Sequence, residues 1–202
     1  MKTFITPKII FGKNCRFSLI EELNKIGAKK VLFVTDKYIL STGRIDELSK
    51  ELTKKKLSFS VFSEVNPDPT DINVLAGLEK LNENNSDTIV AIGGGSPMDT
   101  AKAISILKTN SLPLNQYMGY NKIPNPGIPL ITIPTTAGTG SEATKVTVIT
   151  DTENDVKMMI LDDNLMPRVS LVDYELTISM PQPLTAHVGV DTLTHAIEAY
   201  VS

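Results

Sequence analysis

The chain has 202 residues, enough to bury one substantial core, and a composition of 41% hydrophobic and 21% charged residues excludes a wholly disordered polypeptide. A formal net charge of −3 argues against a nucleic-acid partner, because a phosphate backbone asks for a basic footprint. The single cysteine, Cys15, has no partner for an internal disulfide and reads as a half-buried thiol in a reducing compartment. Met1 to Phe11 is apolar but interrupted by Lys2, Pro7 and Lys8, and is too short for a signal peptide or a membrane span. A cytoplasmic protein with no membrane partner is therefore expected.

Thr3 to Gly12 alternates and is rich in β-branched residues, so it predicts a strand, with Pro7 pushing it to a sheet edge or a hairpin. Leu19, Leu23 and Ile26 have helical spacing, and Gly27 ends that helix. Lys30 to Asp36 is a short apolar run closing on an acid, the pattern of a strand buried on both faces. Residues 44 to 56 predict a helix ending in the solvated run Lys54-Lys55-Lys56, and Ser58 to Phe62 a strand. In Asn66-Pro67-Asp68-Pro69-Thr70-Asp71, Asp68 is the expected N-cap and Pro69 the first residue of a helix running to about Glu83.

The apolar run Ile89 to Ile92 then stops at Gly93-Gly94-Gly95. Ser96 is the expected N-cap of the next helix, Pro97 its first residue and Asp99 the capping-box acid. Asn110 to Pro129, with four prolines, predicts a long surface loop. Leu130 to Ile133 returns to strand, Lys145 to Thr150 and Val156 to Ile160 form a hairpin, and Val169 to Val172 is one more strand. From about Pro183 the pattern is helical to the end, with apolar residues in two stripes. Alternating strands and helices predict an α/β class with a Rossmann-like parallel sheet flanked by helices.

Two stretches, one acid and one residue pair carry chemistry, each with a plainer alternative. Gly93 to Ser96 is a phosphate cradle at a helix N-terminus or an ordinary βα turn. Pro134-Thr135-Thr136-Ala137-Gly138-Thr139-Gly140-Ser141-Glu142 follows a strand, so its hydroxyls reach the carboxyl edge of the sheet beside the glycines; they bind phosphate or ribose oxygens, or cap their own turn. Asp36 accepts from a ribose and repels a 2′-phosphate, or caps a turn. Asp191 and His195, at i and i+4, share a helix face and are metal ligands or a hydrogen-bonded pair. His187 lies two turns before His195 and reads as a capping or packing residue.

In this order, Asp36, Asn66-Pro67, Gly93-Gly94-Gly95-Ser96-Pro97-Met98-Asp99, the Pro134 to Glu142 loop and Gly189 to Tyr200 resemble the iron-containing, group III metal-dependent alcohol dehydrogenases across the whole chain. The resemblance implies a dinucleotide-binding α/β domain, residues 1–180, and the start of a truncated all-helical domain, residues 181–202. It implies that Gly93, Gly94, Gly95, Ser96 and Asp99 hold the pyrophosphate region, that Asn66 belongs to the cofactor site, and that Thr135, Thr136 and Thr139 line the nicotinamide side. Lys157 would contact a ribose, Asp36 would favour NAD over NADP, and Asp191 and His195 would be two of four ligands to Fe²⁺ or Zn²⁺. The substrate would be a small alcohol or aldehyde.

Gly93-x-Gly95-x-x-Met98 departs from the general Rossmann fingerprint in lacking its third glycine. With two metal ligands missing, the chain is expected to be inactive by itself and to associate, either as a homo-oligomer or with a C-terminal helical domain. The alternatives are a stand-alone nucleotide-binding or assembly module, and a relative of glycerol dehydrogenase or dehydroquinate synthase. The Asp191–His195 spacing and the threonine loop favour the alcohol dehydrogenase branch.

Overall fold

Runs that are apolar at every position suit a core on both faces, and Val31 to Val34 and Ile89 to Ile92 become fully buried inner strands. The computed structural model describes residues 5–201. In chain order it contains β1 (Lys8–Phe11), α1 (Leu19–Ile26), β2 (Lys30–Val34), α2 (Lys37–Ser41), α3 (Arg44–Lys54) and β3 (Ser58–Phe62). There follow α4 (Asp71–Glu83), β4 (Thr88–Gly93), α5 (Gly95–Leu107), β5 (Gly119–Tyr120), β6 (Leu130–Pro134), β7 (Val146–Asp151), β8 (Val156–Leu161), β9 (Val169–Val172) and α6 (Gln182–Val201).

Six strands form one parallel sheet in the order β1-β9-β6-β4-β2-β3. Alternate residues of the inner strands feed opposite cores. Leu32, Val34, Ile89 and Ala91 pack with α4, α5 and the β7–β8 hairpin, whereas Val31, Phe33, Val90 and Ile92 pack with α1, α2 and α3. The chain runs outward from β2 to β3, then returns past β2 to β4 and continues to β6. The direction thus reverses between β2 and β4, and it is outside the carboxyl ends of such a pair that open α/β sheets bind ligands.

The central helix is α5. The sheet lies on one side of it and β7 on the other, so Pro97, Met98 and every residue from Thr100 to Leu107 are buried. A lysine, Lys102, is among them at 0% exposure.

The structure corrects several local expectations. β1 is an edge strand, but it pairs in parallel with β9 and forms no hairpin; Thr3 and Phe4 of the expected strand lie outside the described residues. α4 is capped by Thr70 in a capping box with Asn73, not by Asp68. The Pro69 carbonyl accepts from the Thr150 amide at 2.8 Å and Thr70 is extended in a bridge to Thr150, so helical geometry starts later. α5 begins earlier than expected, with Gly94 as N-cap, because the Ser96 hydroxyl is drawn away to the Pro67 carbonyl and Asp99 turns to Ser141. The five-residue α2 was not expected, and Asp36 caps it. Part of the long loop pairs as β5 with β8, while the expected hairpin is present as β7 and β8.

α6 leaves the sheet. Only Val188 of its apolar residues is buried, at 9% exposure, while Val190, Leu193, Ile197, Tyr200 and Val201 are exposed. No helix among the described residues is long and apolar enough to cross a membrane.

Candidate functional site

The carboxyl ends of β2, β4 and β6 bring together Asp36, the Gly93–Ser96 turn and the threonine loop. Thr135 extends the pairing by one bond, its amide donating to the Gly93 carbonyl at 2.8 Å. Gly93 has φ 151°, and a Cβ there would lie 2.6 Å from Pro97 Cγ, so the sharp turn from strand to helix requires glycine. A Cβ on Gly94 would stand 3.2 Å from Thr136 Cγ2, and one on Gly95 3.2 Å from Thr139 Cγ2. The two glycines thus leave shallow room between α5 and the threonine loop, into which the unpaired first amides of the helix are directed. Thr136 Oγ1 is buried there with no hydrogen-bond partner among the described residues.

Two large cavities flank this turn, and a small one of about 100 Å³ is lined by Asp36, Tyr38, Gly94, Thr135 and Thr136. One of about 650 Å³ is lined by Asp36, Tyr38, Asn66, Ile72 and Ser96. The other, of about 450 Å³, is lined by Gly95, Ser96, Thr139, Lys157 and His195. The hydroxyl of Ser96, reaching the Pro67 carbonyl, separates them. Asp36 Oδ1 accepts from the Ile39 amide at 2.8 Å, so one oxygen of this carboxylate is engaged as a cap. Lys157 Nζ lies 2.9 Å from Asp68 Oδ1, an exposed pair at the mouth of the smaller of the two large cavities.

Beneath the turn lies a polar cluster that the sequence did not reveal as such. Asp99 Oδ1 accepts from the Ser141 hydroxyl at 2.6 Å, and Oδ2 from the Val148 amide at 3.0 Å. Lys102 Nζ donates to Ser141 Oγ at 3.0 Å, to Thr144 Oγ1 at 3.4 Å and to the Val146 carbonyl at 2.7 Å. Burial raises the Asp99 pKa, against the opposing effects of Lys102, the Ser141 hydroxyl and the Val148 amide. Burial pulls the Lys102 ammonium down to about 8, against the attraction of Asp99 and Glu142. The sequence shows only that Lys102 follows Asp99 by three residues, a spacing that puts both on one helix face but does not report burial.

Asp191 and His195 do meet, Oδ1 to Nε2 at 3.6 Å, with side chains 46% and 59% exposed. No group of three or more His, Cys, Asp or Glu side chains able to hold a metal exists among the described residues. α6 is set against the threonine loop at Gly138, where a Cβ would lie 2.6 Å from the Val188 carbonyl oxygen. His187 is exposed on the same helix.

The sequence pattern of the iron-containing alcohol dehydrogenases matches residues 6–174. The chain is 43% identical over 199 residues to the NAD-dependent methanol dehydrogenase of Bacillus methanolicus, covering 98% of this chain and 52% of that protein. It superposes on a crystal structure of 1,3-propanediol oxidoreductase with a TM-score of 0.96 at 40% identity, over 100% of this chain and 53% of that one. A sulfoacetaldehyde reductase from Bifidobacterium kashiwanohense, solved in complex with NAD⁺, gives 0.89 at 34% identity, over 98% and 53%. The chain spans about half the length of the curated relatives it matches.

Proposed function

The chain belongs to the iron-containing alcohol dehydrogenase family, and from that premise we propose that it is the NAD-binding part of a dehydrogenase for small alcohols or aldehydes. The observation that carries this reading is the unpartnered Thr136 Oγ1 beside a turn whose missing Cβ atoms leave room for a diphosphate. Gly94, Gly95 and Ser96 would hold the pyrophosphate with helix amides. Asp36 and Asn66 would face the adenosine end in the larger cavity, and Thr135, Thr136, Thr139 and Lys157 the nicotinamide end. When bound, NAD supplies the hydride acceptor, while the protein contributes orientation and the exclusion of water.

Asp191 and His195 would give two donors to Fe²⁺ or Zn²⁺, fewer than the three or four protein ligands such ions take, and no further donor joins them among the described residues. The exposed stripe of α6 would be covered by further helical sequence of a longer protein or by a second copy, so that residues 1–180 form the nucleotide-binding domain and 181–202 the start of another. Calorimetric titration tests the proposal: NAD should bind and NADP should bind more weakly. Absence of NAD binding to a folded chain would overturn it.

A further inference from the structure

Lys102 lines neither end of the cofactor site, yet a fully buried lysine is costly unless its charge is compensated. Its three hydrogen bonds all run to one place: Ser141 at the end of the threonine loop, Thr144 just beyond it, and Val146 at the start of β7. Ser141 is the shared member, since its hydroxyl donates to Asp99 while its oxygen accepts from Lys102. The glycine turn begins the same helix that carries Asp99 and Lys102. This cluster therefore ties the threonine loop to the helix whose N-terminus forms the other wall of the cradle.

We propose that Lys102 is a positioning residue that, through Ser141, fixes Thr136 and Thr139 opposite Gly94 and Gly95 and so sets the nicotinamide end of the NAD site without touching the cofactor. This rests on the NAD-binding reading above. The larger cavity is lined by neither the threonine loop nor Lys102, and Asp36 meets Thr135 and Thr136 only in a small cavity of about 100 Å³ that Lys102 does not line, so the adenosine end rests mainly on residues outside the cluster. The compensation of Lys102 by Asp99, on its own helix, and by Glu142, on the loop, explains why a charge is tolerated in this position.

The experiment compares NAD with AMP, which carries the adenosine end and one phosphate but no nicotinamide, by calorimetric titration of the wild-type chain, Lys102→Met and Ser141→Ala. Loss of a charge-assisted hydrogen bond that orders the loop should weaken NAD by about tenfold or more in either variant while leaving AMP within about twofold. The double variant should lose little beyond the larger single effect, because both act through one contact. Equal weakening of NAD and AMP would make the cluster a general fold element and overturn the proposal, as would unchanged NAD binding in both variants. Should Lys102→Met fail to fold, Lys102→Gln takes its place, because Ser141 itself lines the smaller of the two large cavities and Lys102 does not. If the wild-type chain binds AMP and NAD equally or binds neither, the cofactor reading itself fails, which is a different result from a variant effect.

Discussion

Asp36 has two duties that a pair of substitutions separates. Its Oδ1 caps α2 through the Ile39 amide at 2.8 Å, and the same side chain lines the larger cavity. Asp36→Asn would retain the cap, since asparagine serves as well there as aspartate, whereas alanine forfeits about 1 kcal/mol of cap energy. The charge acts differently. A carboxylate about 6 Å from a 2′-phosphate, at an effective dielectric of about 20, repels each unit of phosphate charge by about 2–3 kcal/mol before salt screening. Asp36→Asn should therefore leave the unfolding midpoint unchanged and narrow the NAD-to-NADP affinity ratio by about thirtyfold, the equivalent of about 2 kcal/mol. Asp36→Ala should narrow the ratio similarly and also lower stability. Parallel titrations with NAD and NADP at fixed ionic strength, with urea unfolding of both variants, read the two effects apart. A ratio that is the same in Asp36→Asn as in the wild type would refute the electrostatic argument, whatever happened to stability.

Gly127 lies against α5, where a Cβ would stand 2.3 Å from Ser105 Oγ and 2.8 Å from its carbonyl carbon. Gly127→Ala should cost about 2–4 kcal/mol through overpacking and loss of the Ser105–Ile128 hydrogen bonds, visible as a lower urea midpoint at unchanged m. Lys102 releases its proton at about 8 when folded and near its ordinary 10.5 when unfolded, so the unfolded state holds more protons between those values and stability at this site rises with pH. The wild type should gain on Lys102→Met by up to about 1.4 kcal/mol per pH unit across that window, and a gap that stays constant from about pH 8 to about pH 10 contradicts the assignment. Asp68→Asn removes the ion-pair partner of Lys157 and should strengthen NAD binding by about two- to fivefold, an effect that Lys157→Ala should abolish in the double variant. Because Asp191 and His195 are exposed and lack further donors among the described residues, a chelator should leave the melting temperature of this chain unmoved, which differential scanning calorimetry checks.

The strands at Ile89 and Leu130 were legible because apolar runs of that length admit few placements, and the side chains alternate between two cores as a parallel sheet demands. The glycine turn and threonine loop came together for the same reason: both follow inner strands. Caps are not legible where a side chain has a better partner far away in sequence, as with Ser96 and Pro67 or Asp99 and Ser141. α2 is too short to show a period. Lys102 was hidden because its burial depends on the β7–β8 hairpin closing over α5, and nothing local in Thr100 to Ile104 marks a lysine as enclosed.

The burial of α5 bears on how the turn above it behaves. From Thr100 to Leu107 the helix has no solvated side, so its amide hydrogens should exchange only when the whole sheet opens, on a timescale set by global unfolding. Gly95 and Ser96 sit one turn away at the water boundary and should exchange quickly. The cradle is thus a fast-exchanging rim on an immobile shaft, and the entropy of aligning its amides is lost when the protein folds and not when a ligand arrives. A diphosphate bound there should slow exchange at the rim and leave the shaft as it was.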